Sequence, residues 1–316
     1  MPMTNHTSYR LPSQQLEPIA QRSTEVAHSI ETAELLLAAF LTSKRSANTK
    51  AAYKIDVEQY LNYCASKGRS ALEVDQTALD AWTASLEAQG LKASTIARKI
   101  SAVSGYYLFA QRKGAVGSNP TEYVERPSVS NESQTLGLDL NELRALIAAA
   151  EASSLRDRVL VGLLAQIGLR VSAACAANAE DLSLERGHNT ITSYGKGGKI
   201  LRRTLPPALY ASIVELLDGR TEGPILRRVR SGKALDRFDA AKIVSRLARE
   251  AGIEKRISPH SLRHTAVTLY LDSGAELRDV SDAMGHASPT TTMRYDRARR
   301  SLERDPAYKL EAALAG

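Results

Sequence analysis

At 316 residues the chain has room for two domains, and 43% hydrophobic against 24% charged residues implies packed cores rather than a disordered polymer. An excess of Lys and Arg (42) over Asp and Glu (35) leaves a net charge of +7 and a pI near 9.3, which favours a polyanionic partner, nucleic acid before an acidic membrane surface. No run of 18 apolar residues and no basic-then-apolar start argue against a membrane span and a signal peptide, so a soluble, cytoplasmic protein is expected, with Cys64 and Cys175 as reduced, buried thiols.

Residues 1–30 are polar and aperiodic and read as a tail. A first helix is predicted near 32–43. In the next, Tyr53, Val57, Tyr60, Leu61 and Cys64 form one apolar stripe, with Ser46 as its cap and Gly68 as its stop. Asp75 starts a third helix over about 76–89 that Gly90 ends. A fourth runs from Ser94 to Arg112, with Ile96, Ile100, Val103 and Tyr107 on one face and Gly114 beyond. These four make an N-terminal helical domain over 31–114. Ser43 to Pro127 carries 12 Lys plus Arg against 8 Asp plus Glu, so this piece is basic in its own right. Gly, Pro, Ser and Asn then dominate an aperiodic stretch, read as a linker over 115–136.

The second domain, 137–316, opens with helices over about 139–152 and 156–167. Two strands follow, Thr190–Tyr194 and Ile200–Leu205, turned through GKGGK, a good hairpin signal. Helices are predicted at about 207–218, 237–251, 259–272, 276–284, 289–296 and 305–314. The fold class is mainly α with a small antiparallel sheet.

Four segments concentrate chemistry. Arg170 in GLRVSAA follows an apolar helix, where an arginine is either an ion-pair partner or an anion ligand. Lys196 in GKGGK can reach outward from a turn of bare backbone, although alone it reads as a solvated turn lysine. In SPHSLRH, Ser258 caps a helix whose first turns carry His260 and Arg263 at i and i+3, near its positive end. His260 and His264 also stand at i and i+4, the spacing of a zinc pair, but Ser261 replaces the general-base glutamate and no third ligand follows. His264 reads as structural. In GHASPTTTMRYDRARR, Gly285 is a left-handed helix cap, His286 follows it, and Tyr295 lies two turns into the next short helix, alone an ordinary amphipathic ring.

Together these residues form one inventory: two arginines, a lysine, two histidines and a tyrosine, without paired carboxylates or a metal set. Phosphoryl transfer to a tyrosine nucleophile uses that inventory. Guanidiniums hold the charged non-bridging oxygens, a histidine handles the phenol proton (ordinary pKa about 10), and a lysine protonates the departing oxygen. No metal or other cofactor is called for.

The order and spacing of GLRVS, GKGGK, H-x-L-R-H, MGH and a tyrosine nine positions beyond His286 resemble the tyrosine recombinases, the phage integrase and Xer family. NTKAAYKIDVEQYLNYCASKG and ASTIARKISAVSGYYLFAQRKG look like that family's SAM-like core-binding domain. The resemblance implies a two-domain, C-shaped clamp on duplex DNA, a 3′-phosphotyrosyl intermediate, and religation without ATP. It implies Tyr295 as nucleophile, Arg170 and Arg263 as the phosphate clamp, and His260 as manager of the nucleophile's proton. Lys196 becomes the general acid and His286 a phosphate hydrogen-bond donor. The implied partners are double-stranded DNA with an inverted-repeat core site, a homotetramer on that DNA, and an accessory directionality factor. The terminal helix, with Tyr308, Leu310, Ala313 and Leu314, is then expected to dock on a neighbouring protomer.

Where the family usually has an acidic residue three positions after its first arginine, this chain has Ala173, with Asp181 nearby as a substitute brace. The tail is also too short for the arm-binding domain of the larger phage integrases, so a simple recombinase is expected. The wording of GLRVSAA and of the C-terminal segment leans to a phage or mobile-element integrase over dimer resolution of the Xer kind. A binder that has lost catalysis, for which Ala173 is the hint, and a type IB topoisomerase are the rivals. Lys50, Lys54, Arg98 and Lys99, read as off the apolar stripes of their helices, are candidate DNA contacts.

Overall fold

The computed structural model describes residues 19–128, 137–195, 200–285, 292 and 306–315. The chain divides into two compact units, Met1–Val129 and Ser130–Gly316.

The first unit is four helices: α1 (Ile19–Thr42), α2 (Ala47–Ser66), α3 (Gln76–Ala88) and α4 (Ala93–Arg112). The Ser46 Oγ accepts from the Thr49 N–H at 3.3 Å and Asp75 Oδ1 from the Ala78 N–H at 3.0 Å, so both predicted caps act as such. Gly68, Gly90 and Gly114 each follow a helix with φ between +65° and +73°, a region costly for a residue with a Cβ. Helix α1 starts at Ile19, inside the stretch read as tail. Residues 19–31 hold no Gly or Pro to break a helix.

Aromatic rings fill this unit's core. Trp82 packs edge-on against Tyr60, centroids 4.9 Å apart, and the Tyr60 hydroxyl lies 2.7 Å from that of Tyr107. The Tyr107 hydroxyl also reaches the Ala71 carbonyl at 2.6 Å, which satisfies the polar ends of otherwise buried rings.

The second unit begins with α5 (Leu140–Ser153) and α6 (Leu155–Val161). Asp139 and Glu142 form a reciprocal capping box at the start of α5. The helix predicted to run on to 167 changes at Gly162 into a π-helical turn, Gly162–Gln166, followed by the short α7 (Val171–Ala176). A three-stranded antiparallel sheet follows in the order β1 (Leu182–Glu185), β2 (His188–Tyr194), β3 (Ile200–Thr204). Strand β1 was not predicted: it has four residues, exposed at its two centre positions. Helices α8 (Pro207–Leu217), α9 (Arg237–Glu250), α10 (Pro259–Asp272) and α11 (Leu277–Met284) and a terminal helix (Pro306–Ala315) complete the described elements. The core runs through Leu146, Leu160, Leu164, Ile191, Ile213, Val244 and Leu262, all fully buried. Cys64 and Cys175 are buried, unbridged thiols. The helix predicted at 289–296 lies outside the described residues, and no described helix is long and apolar enough to cross a membrane.

Candidate active site

Helix α10 carries two of the predicted residues. Ser258 caps it in a reciprocal box with Ser261 (Oγ to N–H, 3.2 Å), and Pro259 takes the first position, where the missing N–H costs nothing. The next residue, His260, is exposed, whereas Arg263 at i+3 from it is 4% exposed. The Arg263 guanidinium donates through one nitrogen to the Gly168 carbonyl and through the other to the Met284 carbonyl at 2.7 Å. It thereby joins the segment that leads into Arg170 to the end of the helix that leads into His286.

The backbone around Gly168 explains the placement of Arg170. The π-turn ends with the Leu169 N–H on the Leu163 carbonyl at 2.9 Å, and Gly168 takes φ +69°. A Cβ at Gly168 would fall 2.5 Å from Met284 Cε, so glycine is required by both torsion and space. Leu169 turns into the core at 1% exposed, and the next residue, Arg170, emerges at the surface before α7. Period-2 or 3.6 patterning does not reveal a π-turn, which explains why the sequence reading ran the helix straight through it.

His260 is held below the ordinary histidine pKa of 6.5, first by burial of part of its ring and then by the positive charges of Arg263 and Arg170. Those two cations therefore act on one imidazole, which places Arg170, His260 and Arg263 in one electrostatic neighbourhood. A neutral imidazole near pH 7 can accept a proton, as a general base must. His264, one turn further along α10, is buried and also held below 6.5, by burial first and then by His260. Its Nδ1 lies 3.3 Å from Thr268 Oγ1, and a Cβ on Gly137 would stand 2.9 Å from that nitrogen. These are packing contacts, in line with a structural histidine. Among the described residues no three His, Cys, Asp or Glu side chains gather as a metal site would need.

Gly285 ends α11 in the left-handed conformation, φ +58°, as predicted. A Cβ there would meet Leu201 Cδ1 of β3 at 3.2 Å, so the β2–β3 hairpin packs against the turn that leads to His286. Lys196, His286 and Tyr295 themselves lie outside the described residues. Thr292, three positions before Tyr295, is fully buried.

Two expectations need correction. Lys99 is not a surface lysine of α4. At 5% exposed it sends its ammonium to Asp56 Oδ1 at 3.4 Å and to Gln59 Oε1. Position 99 is three after Ile96 and four before Val103, so it belongs to the buried face. Asp56 is fully buried and also pairs with Arg98, which is left half-exposed. Lys99 therefore ties α2 to α4 and is removed from the DNA-contact set. Lys54 is exposed and reaches Glu58 at 3.6 Å, and Lys50 is half-buried. Asp181 is equally unsuited as a brace: its Oδ2 accepts from the Asn178 N–H at 2.9 Å, capping its own 3-10 turn. On the terminal helix, Leu310 and Leu314 are exposed at 62% and 79%.

A helical unit ahead of a mixed unit, with His260 and Arg263 on α10 and Arg170 at the start of α7, is the arrangement that the order of motifs predicts for a DNA strand-transfer enzyme of the tyrosine type. Residues 137–301 match the phage integrase family and residues 34–114 match the phage integrase N-terminal SAM-like domain. Tyrosine recombinase XerC of Mycobacterium tuberculosis is 33% identical over 269 residues, spanning 79% of this chain and 88% of that protein. XerD of Halalkalibacterium halodurans is 29% identical, spanning 82% and 90%. The chain belongs to the phage integrase family: it is a tyrosine recombinase, an enzyme that cleaves and rejoins DNA. In fold it is similar to the XerH site-specific recombinase in a post-cleavage complex with palindromic difH substrate (TM-score 0.69, 20% identity, covering 95% of this chain and 92% of that one). It is similar too to a lambda integrase bound to a core site (TM-score 0.63, 17% identity, covering 84% and 96%).

Proposed function

We propose that this recombinase acts on duplex DNA at an inverted-repeat core site, through Tyr295 as nucleophile. The observation that carries the reading is the buried Arg263 guanidinium, which joins the Gly168 carbonyl, two residues before Arg170, to the Met284 carbonyl, two residues before His286. In the cleavage step the Tyr295 oxygen bonds to phosphorus and its proton passes to neutral His260. The bond from phosphorus to the 5′ oxygen breaks, and that oxygen keeps the electron pair and takes a proton from Lys196. Arg170 and Arg263 hold the non-bridging oxygens as their charge builds, and His286 donates a further hydrogen bond. A guanidinium has five donors, and the two carbonyls that Arg263 meets orient its fork. In the return step a 5′ hydroxyl attacks the phosphotyrosine and the two proton transfers reverse. The arginines supply the positive charge, so a chelator is expected to leave the rate unchanged.

Four protomers on DNA are the working assembly, with the exposed Leu310 and Leu314 docking on a neighbour, and a directionality factor biasing the exchange. The XerC and XerD names of the relatives weigh toward resolution of DNA dimers, and away from the integration or excision of a phage or mobile element that the sequence wording favours. The likeness to the Tn1549 transposon integrase, at 16% identity, bears on the fold alone. Two copies of a core site selected from random DNA, cloned into one plasmid, test the reading. Site-dependent deletion or inversion supports a recombinase of this kind. Relaxation of plasmids that lack the site, without exchange, would indicate a topoisomerase instead.

A further inference from the structure

A polar strut behind the site has no part in the chemistry above. Leu201, Arg203 and Leu205 share the inward row of β3 and its continuation, so Arg203 occupies a place where the two flanking positions are leucine. Its guanidinium donates to the Tyr270 hydroxyl on α10 at 3.3 Å and lies over the Tyr270 ring at 5.9 Å. The Tyr270 hydroxyl in turn donates to the carbonyl of Gln166, the last residue of the π-turn. No carboxylate pairs with Arg203 among the described residues, and its Nε is buried without a hydrogen-bond partner. An inward-facing cation paired with nothing but a phenol is costly compared with a third leucine, so packing alone does not account for it.

The three elements that the strut joins are the ones that mount the site. Gln166 is four residues before Arg170, α10 carries His260 and Arg263, and β3 is the strand on which the Lys196 hairpin returns. On the same row of β3, Leu201 meets Gly285 at the end of α11. We infer that Arg203 and Tyr270 are positioning residues, which fix the β2–β3 hairpin against the π-turn so that Lys196 meets the departing 5′ oxygen of the phosphate held by Arg170 and Arg263. The inference rests on the proposed role of Lys196 as acid.

The experiment compares Tyr270→Phe, Arg203→Met and Lys196→Ala in single-turnover cleavage of two nicked duplexes. One has an ordinary phosphodiester at the cleavage position and the other a 5′-bridging phosphorothiolate, whose thiolate leaves without a proton. Melting temperature and DNA affinity are measured alongside. Tyr270→Phe keeps the ring and Arg203→Met keeps the apolar stem, so both are expected to fold and to bind DNA within threefold of the parent. Both are expected to cleave the phosphodiester about tenfold or more slowly (the scale of a displaced general acid) and to recover to within about threefold of the parent on the phosphorothiolate. Parent-like rates on the phosphodiester, or equal slowing on both substrates, overturn the strut while leaving Lys196 as acid, provided Lys196→Ala recovers. A Lys196→Ala that fails to recover on the phosphorothiolate overturns the acid assignment and this inference with it.

Discussion

Arg263 bridges the carbonyls of Gly168 and Met284, two residues 116 positions apart in sequence, from a guanidinium that is almost fully buried. The same residue is therefore a structural tie and, in the proposed mechanism, half of the phosphate clamp. Lysine cannot span two carbonyls with one planar fork. Arg263→Lys is expected to lower the single-turnover cleavage rate by about 100-fold or more, the scale of one lost transition-state donor. Arg263→Ala leaves both carbonyls unpaired as well, at about 1–3 kcal/mol each, and urea unfolding should register a loss of several kcal/mol.

Gly168→Ala meets two independent penalties: a left-handed torsion of +69° and a Cβ 2.5 Å from Met284 Cε. The torsion costs about 1–2 kcal/mol and the overpacking about 1–3 kcal/mol. Shortening Met284 relieves the second penalty and not the first. In a double-mutant cycle with Met284→Ala, measured by denaturant unfolding, the pair is expected to be less destabilised than the sum of the singles by about 1 kcal/mol or more.

In the first unit, Asp56 is a fully buried carboxylate between Arg98 and Lys99. Asp56→Ala strands the buried Lys99 ammonium and is expected to cost about 3–5 kcal/mol. Lys54→Ala breaks an exposed pair with Glu58 and is expected to cost under about 0.5 kcal/mol. Chemical denaturation of the two variants side by side checks the contrast.

His260 and His264 are both held below the ordinary pKa of 6.5. A histidine whose folded pKa is depressed binds protons more weakly than in the unfolded chain, so stability is complete above about pH 6.5 and declines as the pH falls toward the depressed values. Melting temperature is expected to drop over that acid range, and His264→Gln to flatten part of the drop. The cleavage rate should fall over the same range, because protonated His260 cannot accept the phenol proton.

The helical frame was legible because its stops are local: Ser46, Asp75 and Ser258 as caps, and Gly68, Gly90 and Gly285 as left-handed ends. The order of Arg170, Lys196, His260, Arg263, His286 and Tyr295 was likewise readable as a motif. Three features were hidden because each is decided by tertiary neighbours. The π-turn has no periodic signature and is held by Gly168 against Met284. Lys99 looks like a surface lysine until Asp56 is seen opposite it. Arg203 differs from its neighbour Arg202 only by facing inward, a distinction that the Leu201, Leu205 alternation carries and that a count of basic residues does not.

The most direct test of the account is the site of covalent attachment to DNA. The protein is incubated with a nicked duplex bearing its selected core site, quenched in denaturant, digested and mapped by mass spectrometry. The account predicts a 3′-phosphoryl adduct on Tyr295 that Tyr295→Phe abolishes while leaving DNA binding intact. An adduct on another residue, an adduct that survives Tyr295→Phe, or tight binding with no adduct at all would contradict it.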